Sequence, residues 1–246
     1  DYREMIEKEK PDIVSVTTPS FARAEPIVFA AEHGVRGIYS EKGLCASLAE
    51  ADRITRACST HDVAFNWGAS RRHHDGFKKM RAAIADGAIG EPRFAQMYSY
   101  TDIIKHHPHT LDLVAMLLGD PAPQWVEGRL AQADSILAGD SARPRSYPPY
   151  DTDKHAFVPP PGKEIADPMV DFFRVGYDGG AEGLFIPMSG LFDIEVYGTE
   201  GRAYAWDNGE VIRIRRGRRK ESAVEEKTIQ PTGESPTVCT IRDIIR

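Results

Sequence analysis

The segment KHHPHTLD, residues 105–112, sets His106, His107 and His109 between Lys105 and Asp112. Two chemistries suit such a cluster. A zinc-type centre needs three or four convergent ligands, and His107 and His109 would share a face only in an extended H-x-H segment. Pro108 followed by the apolar run LDLVAMLL instead predicts a helix that starts here, with proline in its first turn. On that helix the neighbouring histidines fan apart and no further Cys, Glu or distant His completes a set, so no metal is expected. Acid–base work fits better. A histidine in the first helical turn feels the positive end of the helix dipole, which favours a neutral ring able to accept a proton. Asp112, one turn on, is placed to orient that ring. A packed or solvated histidine fits the same residues, so type and spacing leave the choice open.

Two other stretches carry reactive groups, TTPS at 17–20 and SEKG at 40–43. Both follow short apolar, β-rich runs. If those runs are parallel strands, the two loops lie at the carboxyl edge of the sheet, where doubly wound folds bind ligands. A lysine there can hold and protonate a substrate oxygen. Ordinary loop polarity is the plainer account of either loop taken alone.

The elements around these groups alternate in the first third. DIVSVTTP reads as a strand buried on both faces of a parallel sheet. FARAEPIVFAAEHG follows as a helix stopped by Gly34, then VRGIYSE as a second strand. Ser47 and Glu50 form an S-x-x-E capping box for the helix LAEADRITRACSTHD, and VAFNWG is a third strand. This rhythm predicts βαβ units.

After Ser70 the pattern changes. FKKMRAAIADG predicts a helix with Phe77, Met80 and Ile84 on one stripe and Gly87 at its end; HTLDLVAMLLG predicts another, its apolar side made by Leu111, Val114, Ala115 and Leu118. RFAQMYSY, WVEGRLAQ, MVDFFRVGYDGGAEGLFIPMSG and FDIEVYGTEGRAYAW read as strands, with Asp178-Gly179 as a hairpin turn. The Pro-rich stretch ARPRSYPPYDTDKHAFVPPPGKE reads as a long surface excursion, and RIRRGRRK at 213–220 as a solvated hairpin around Gly217 rather than a nucleic-acid patch. The expected fold is a partial Rossmann-type parallel sheet over residues 1–69. An α+β domain with an open, mainly antiparallel sheet follows over 70–246. Both ends of the chain read as cut rather than finished.

With 246 residues, 41% hydrophobic and 28% charged, the composition is that of a globular chain. A net charge of −6 argues against nucleic-acid or membrane partners. Three cysteines without a C-x-x-C pattern suggest reduced thiols and a cytoplasmic setting.

Taken in order, the motifs resemble the Gfo/Idh/MocA family of NAD(P)-dependent sugar and polyol oxidoreductases. PDIVSVTTPSFARAEPIVFAAEHGVRGIYSEKGLCASLAEADRI is similar to the family's D-x-V-x-V-x-T-P-x-x-x-H segment leading into E-K-P. NWGASRRHHDGFKKMRAAIADGAIGEPR resembles the crossing to the second domain, HTLDLVAMLLGD the H-x-x-D helix, and IEVYGTEGRAYAW the G-T-E-G hairpin. The resemblance implies hydride transfer between NAD or NADP and a hydroxyl of a sugar, polyol or sugar acid. It implies Lys42 as the lysine contacting substrate and nicotinamide ribose, and His109 as the acid–base. Thr18, Pro19, Ser20, Glu41 and Arg72 take cofactor-side positions. Asp112, His107 and Lys105 take substrate-side ones, His106 and His107 falling to the loop or rim. A homo-oligomer through the carboxyl-terminal sheet is implied too.

The departures also carry information. Gly43 replaces the motif proline, Arg23 replaces the motif histidine, and Lys105 replaces a frequent aspartate, which suggests a carboxylate on the substrate or a lysine sharing the proton work. No G-x-G-x-x-G turn occurs in the sequence, so about 60–70 residues of a dinucleotide fold are expected to be missing. A polypeptide consisting of these residues alone should bind NAD(P) weakly or not at all and expose an aggregation-prone sheet edge; a longer one should be an active dehydrogenase. The rival reading is a non-catalytic or degenerate member, such as a ligand-sensing regulator, favoured by Gly43 and the missing turn and opposed by Lys42 and His109.

Overall fold

The computed structural model describes residues 1–99, 103–104, 106–131, 145–146, 150–151, 156–157, 166–188, 192–217, 225–231 and 233–245. The chain divides into two compact units. The first comprises 1–70, 145–167 and 237–246, and the second 71–144 and 168–236. The segments 145–167 and 237–246 therefore group with the first unit, not with the 70–246 portion in which a linear reading places them. They join it by long-range packing, which no local pattern announces.

In the first unit, α1 (Tyr2–Glu9) precedes β1 (Ile13–Val16), α2 (Ala24–Glu32), β2 (Gly37–Ser40), α3 (Leu48–Thr60) and β3 (Ala64–Trp67). The strands pair in parallel in the order β1-β2-β3. The Ser47 arm of the capping box forms as the sequence predicts, Glu50 N–H donating to Ser47 Oγ at 3.2 Å; Glu50 Oε2 accepts from Ala46 N–H at 2.9 Å, one residue before the N-cap. Ile27, Ile38 and Ile54 anchor the core, joined by Val14 and Val16. The expectation that β1 is buried on both faces is corrected. Val14 and Val16 are buried, whereas Ile13 and Ser15 are exposed. The run of β-branched residues reflects strand propensity there, not two covered faces.

The second unit holds α4 (Asp75–Ala85), β4 (Pro92–Ser99), α5 (His107–Leu118) and β5 (Pro123–Leu130). Four short strands assigned to the first unit come next in the chain. These are β6 (Arg145–Ser146) and β7 (Tyr150–Asp151), then β8 (Ala156–Phe157) and β9 (Ala166–Asp167), paired β6 with β9 and β7 with β8. The second unit resumes with β10 (Val170–Tyr177), β11 (Glu182–Pro187), β12 (Asp193–Gly198), β13 (Gly201–Trp206), β14 (Val211–Arg216) and β15 (Glu225–Ile229). Its eight-stranded sheet runs β15-β14-β13-β12-β4-β11-β10-β5, antiparallel except at the β4–β11 pair. Asp178 and Gly179 do turn β10 into β11. The basic run lies partly in β14, which forms a hairpin with β15; residues 218–220 fall outside the described ones, as does most of the Pro-rich excursion.

Helices α4 and α5 lie on the sheet face bearing Ala95, Met97, Ile194, Val196, Ala203 and Ala205. Phe77, Met80 and Ile84 are the buried stripe of α4, as predicted. In α5 the stripe differs from the expected one: Leu113, Val114 and Leu117 are fully buried, while Leu111 and Ala115 are only partly so. Every residue from Leu113 to Leu118 is apolar, so the periodicity there could not single out one face. Gly34, Gly87 and Gly119 follow α2, α4 and α5 with φ of +84°, +82° and +105°, the left-handed stops expected of them. Last, α6 (Pro236–Ile245) packs with the first unit; a Cβ on Gly37 would lie 2.7 Å from Ile244 Cγ2.

Candidate active site

In the first unit the carboxyl ends of the parallel strands β1 and β2 lead into the loops that hold Thr18, Pro19 and Ser20, and Glu41 and Lys42. The loops are tied to the sheet by main-chain bonds. Glu41 N–H donates to Val16 O at 3.0 Å and Gly68 N–H to Ser40 O at 2.6 Å. Glu41 bends back on its own loop, its Oε2 accepting from Lys42 N–H at 3.0 Å and its Oε1 from the Tyr39 hydroxyl at 3.4 Å. Burial, followed by the charge and the hydrogen bond of Glu41, pushes the Tyr39 hydroxyl pKa up. Gly68 lies against this loop so closely that a Cβ would come 3.0 Å from Lys42 N and 3.2 Å from Glu41 Oε1. The lysine is thus presented from a loop walled by the end of β3.

Arg23 was legible only as a departure from a motif, yet it is the main polar tie between these loops. At 3% exposure, its Nη1 donates to Glu41 O at 2.7 Å and to Gly43 O, and its Nη2 donates to Thr18 O. Burial pushes its pKa down to about 10, with the Glu41 charge opposing; the group remains cationic at neutral pH. An arginine flanked by Ala22 and Ala24 at the start of an apolar helix was the one available signal, since a guanidinium there needs acceptors.

In the second unit His109 sits in the first turn of α5, where the sequence predicts it, at 8% exposure and edge-on to Phe192 with ring centroids 5.8 Å apart. The guanidinium carbon of Arg71 lies over the same Phe192 ring, 4.4 Å from its centroid. His107 is not at a loop or rim. It is 1% exposed and edge-on to Phe173 at 4.7 Å, and its Nδ1 is 2.9 Å from Thr110 Oγ1. Its ring packs against the inner sheet face because the helix starts one residue earlier than Pro108.

Asp112 pairs with Arg72. Arg72 Nε lies 2.9 Å from both Asp112 oxygens, and its Nη2 is 2.7 Å from Asp112 and 2.9 Å from Asp120. Burial works against the Arg72 charge, but the bonds and charges of Asp112 and Asp120 hold its pKa above the ordinary value. Arg72, expected beside cofactor phosphates, thus meets two carboxylates. Lys105 lies outside the described residues. Among the described residues no group of three His, Cys, Asp or Glu side chains is placed to hold a metal ion, and no helix is long and apolar enough to cross a membrane.

The chemistry of the strand-end loops suits the sugar and nicotinamide portion of a dinucleotide. They offer hydroxyls, a carboxylate and a lysine, and Gly68 lets the end of β3 pack closely against the lysine loop.

Comparison with known proteins agrees. Residues 1–68 match the family model described as "Oxidoreductase family, NAD-binding Rossmann fold". A 2,7-anhydro-N-acetylneuraminate hydratase of Mediterraneibacter gnavus is 29% identical over 137 residues, covering 48% of this chain and 36% of that protein. A myo-inositol 2-dehydrogenase of Thermotoga maritima is 31% identical over 99 residues, covering 40% and 29%. The matched region thus spans about a third of these relatives. An inositol dehydrogenase homologue from Azotobacter vinelandii, solved with NADH and myo-inositol, superposes with a TM-score of 0.70 at 18% identity, over 99% of this chain and 68% of its own. At that identity the likeness is one of fold.

Proposed function

We propose, from the match of residues 1–68 to the model of the Gfo/Idh/MocA oxidoreductase family, that the protein is an NAD-dependent oxidoreductase. Its substrate would be a secondary hydroxyl of a sugar, polyol or sugar acid. The observation that supports this reading is the setting of Lys42. The lysine follows the carboxyl end of β2, its N–H held by Glu41 and its loop bounded by Gly68. In doubly wound sheets that edge is where ligands sit. The Lys42 ammonium donates a hydrogen bond to a substrate oxygen and holds it in place. The His109 ring accepts the hydroxyl proton as the C–H bond is broken, or returns it in the reverse direction. Thr18, Pro19, Ser20 and Glu41 line the cofactor side of the loops. When bound, the nicotinamide supplies the acceptor or donor of the hydride; the chain's own share is orientation and proton handling. Arg72 and Asp112 hold each other and with that the start of α5. Lys105 is proposed to meet an anionic group of the substrate.

The protein is proposed to work in the cytoplasm and to pair with a second copy through the open face of the large sheet. On that face the half-buried rings of Phe94, Tyr197, Tyr204 and Trp206 alternate with the inward residues.

The test is reduction of NAD by the intact protein against a panel of polyols, sugars and sugar acids. Lys42→Ala and His109→Ala are each expected to lower kcat/KM by roughly 10²–10⁴-fold. Unchanged turnover in both variants would overturn the assigned roles.

A further inference from the structure

Three carbonyl oxygens on two loops face one buried side chain. Thr18 O belongs to the loop after β1, and Glu41 O and Gly43 O to the loop after β2; the guanidinium of Arg23 donates to all three. A carbonyl only accepts, so this arrangement needs a group with several donors in a fixed plane. Arginine provides that fork and lysine does not. Glu41 O lies on the peptide plane that enters Lys42, and Gly43 O on the plane that leaves Gly43. With both held by one guanidinium, Lys42 and Gly43 are bracketed, and the backbone from which the Lys42 side chain departs is restricted to the few φ/ψ combinations that join the two planes.

The second observation is at Gly43. Glycine gives a loop the greatest backbone freedom, and a loop that must aim a long side chain loses precision from it. Gly43 is not among the residues of positive φ. Its freedom is therefore not required by a left-handed turn and must be restrained by contacts. The contact that restrains it is Arg23.

We propose that Arg23 is a positioning residue for Lys42. By fastening Glu41 O and Gly43 O to Thr18 O, it holds the lysine loop in one conformation. It supplies through hydrogen bonds the stiffness that a proline at position 43 would supply through its ring. The kinetic part of this proposal rests on the reading of Lys42 as a catalytic residue; the conformational part does not.

The experiment uses the intact protein and two readouts. In the first, lysines are reductively methylated with ¹³C-formaldehyde, and the Lys42 signal is identified by its loss in Lys42→Met. A resolved Lys42 signal is expected in the native chain, collapse into the bulk lysine envelope in Arg23→Ala, and recovery in Arg23→Ala/Gly43→Pro. In the second, Arg23→Ala is expected to lower kcat on the order of 100-fold through misaim of the lysine. Gly43→Pro should restore about tenfold of that loss. If Arg23→Ala does not fold, Arg23→Lys serves instead. Its single ammonium cannot span both loops, and about a tenfold loss, again relieved by Gly43→Pro, is expected. A Lys42 signal left unmoved by the loss of Arg23 overturns the proposal. So does a double variant with native melting temperature whose kcat and Lys42 signal stay where the single variant put them, because Arg23 would then act on the fold alone. Absence of turnover in the native protein, with the Lys42 signal still responding, refutes the enzymatic reading and leaves the clamp standing.

Discussion

The strand-end loops of the first unit and the start of α5 in the second solve the same problem with different materials. The loops are held by main-chain carbonyls gathered on one guanidinium, so many residues depend on Arg23 and few on each other. At the start of α5 the ties run between side chains. His107 packs on Phe173, and Arg72 grips Asp112 and Asp120. The difference is one of what a substitution can reach. Main-chain acceptors survive any substitution other than that of their donor, whereas a side-chain pair fails if either partner changes.

The sharpest way to break this comparison is His107→Ala. Filling a core position with two edge-on ring contacts, His107 should cost about 3 kcal/mol of stability when truncated, read as a drop in denaturant midpoint with kcat/KM of the folded fraction unchanged. A raised KM with unchanged stability would instead return His107 to the substrate rim. A smaller effect is expected of Arg72→Ala, about 2 kcal/mol, because it strands the mostly buried Asp112 carboxylate. The cycle with Asp112→Asn should show a coupling of about 1 kcal/mol or more. Weakened NAD binding without loss of stability would place Arg72 at the cofactor after all. The least effect is expected of Arg36→Ala in the first unit. Its ion pair with Asp12, 3.0 Å long, has side chains 78% and 74% exposed, and less than about 0.5 kcal/mol should be lost.

The same contrast explains what could be read from the residues. The alternation of strands and helices up to residue 67 was legible because β-branched runs, a capping box and helix-ending glycines are local signals. The separate surroundings of the two buried histidines of α5 were not. His107 and His109 have the same type and nearly the same neighbours, and only the packing of Phe173 and Phe192 separates them. The work of Arg23 was invisible for a related reason: its partners are carbonyls, which every residue carries, so no side-chain pattern records the site. Pairing of Arg72 with Asp112 and Asp120 spans 40 and 48 residues of chain, beyond any periodicity.

The contact of Ile244 with Gly37 bears on the order of events during synthesis. The first unit takes one of its walls from α6, with Cys239 and Ile244 buried there. Those residues leave the ribosome long after β1, β2 and β3. Until they do, the side of β2 around Gly37 stays uncovered, and a nascent chain waits with an exposed patch that a chaperone would recognise. The sheet that carries Lys42 is therefore laid down early and closed late.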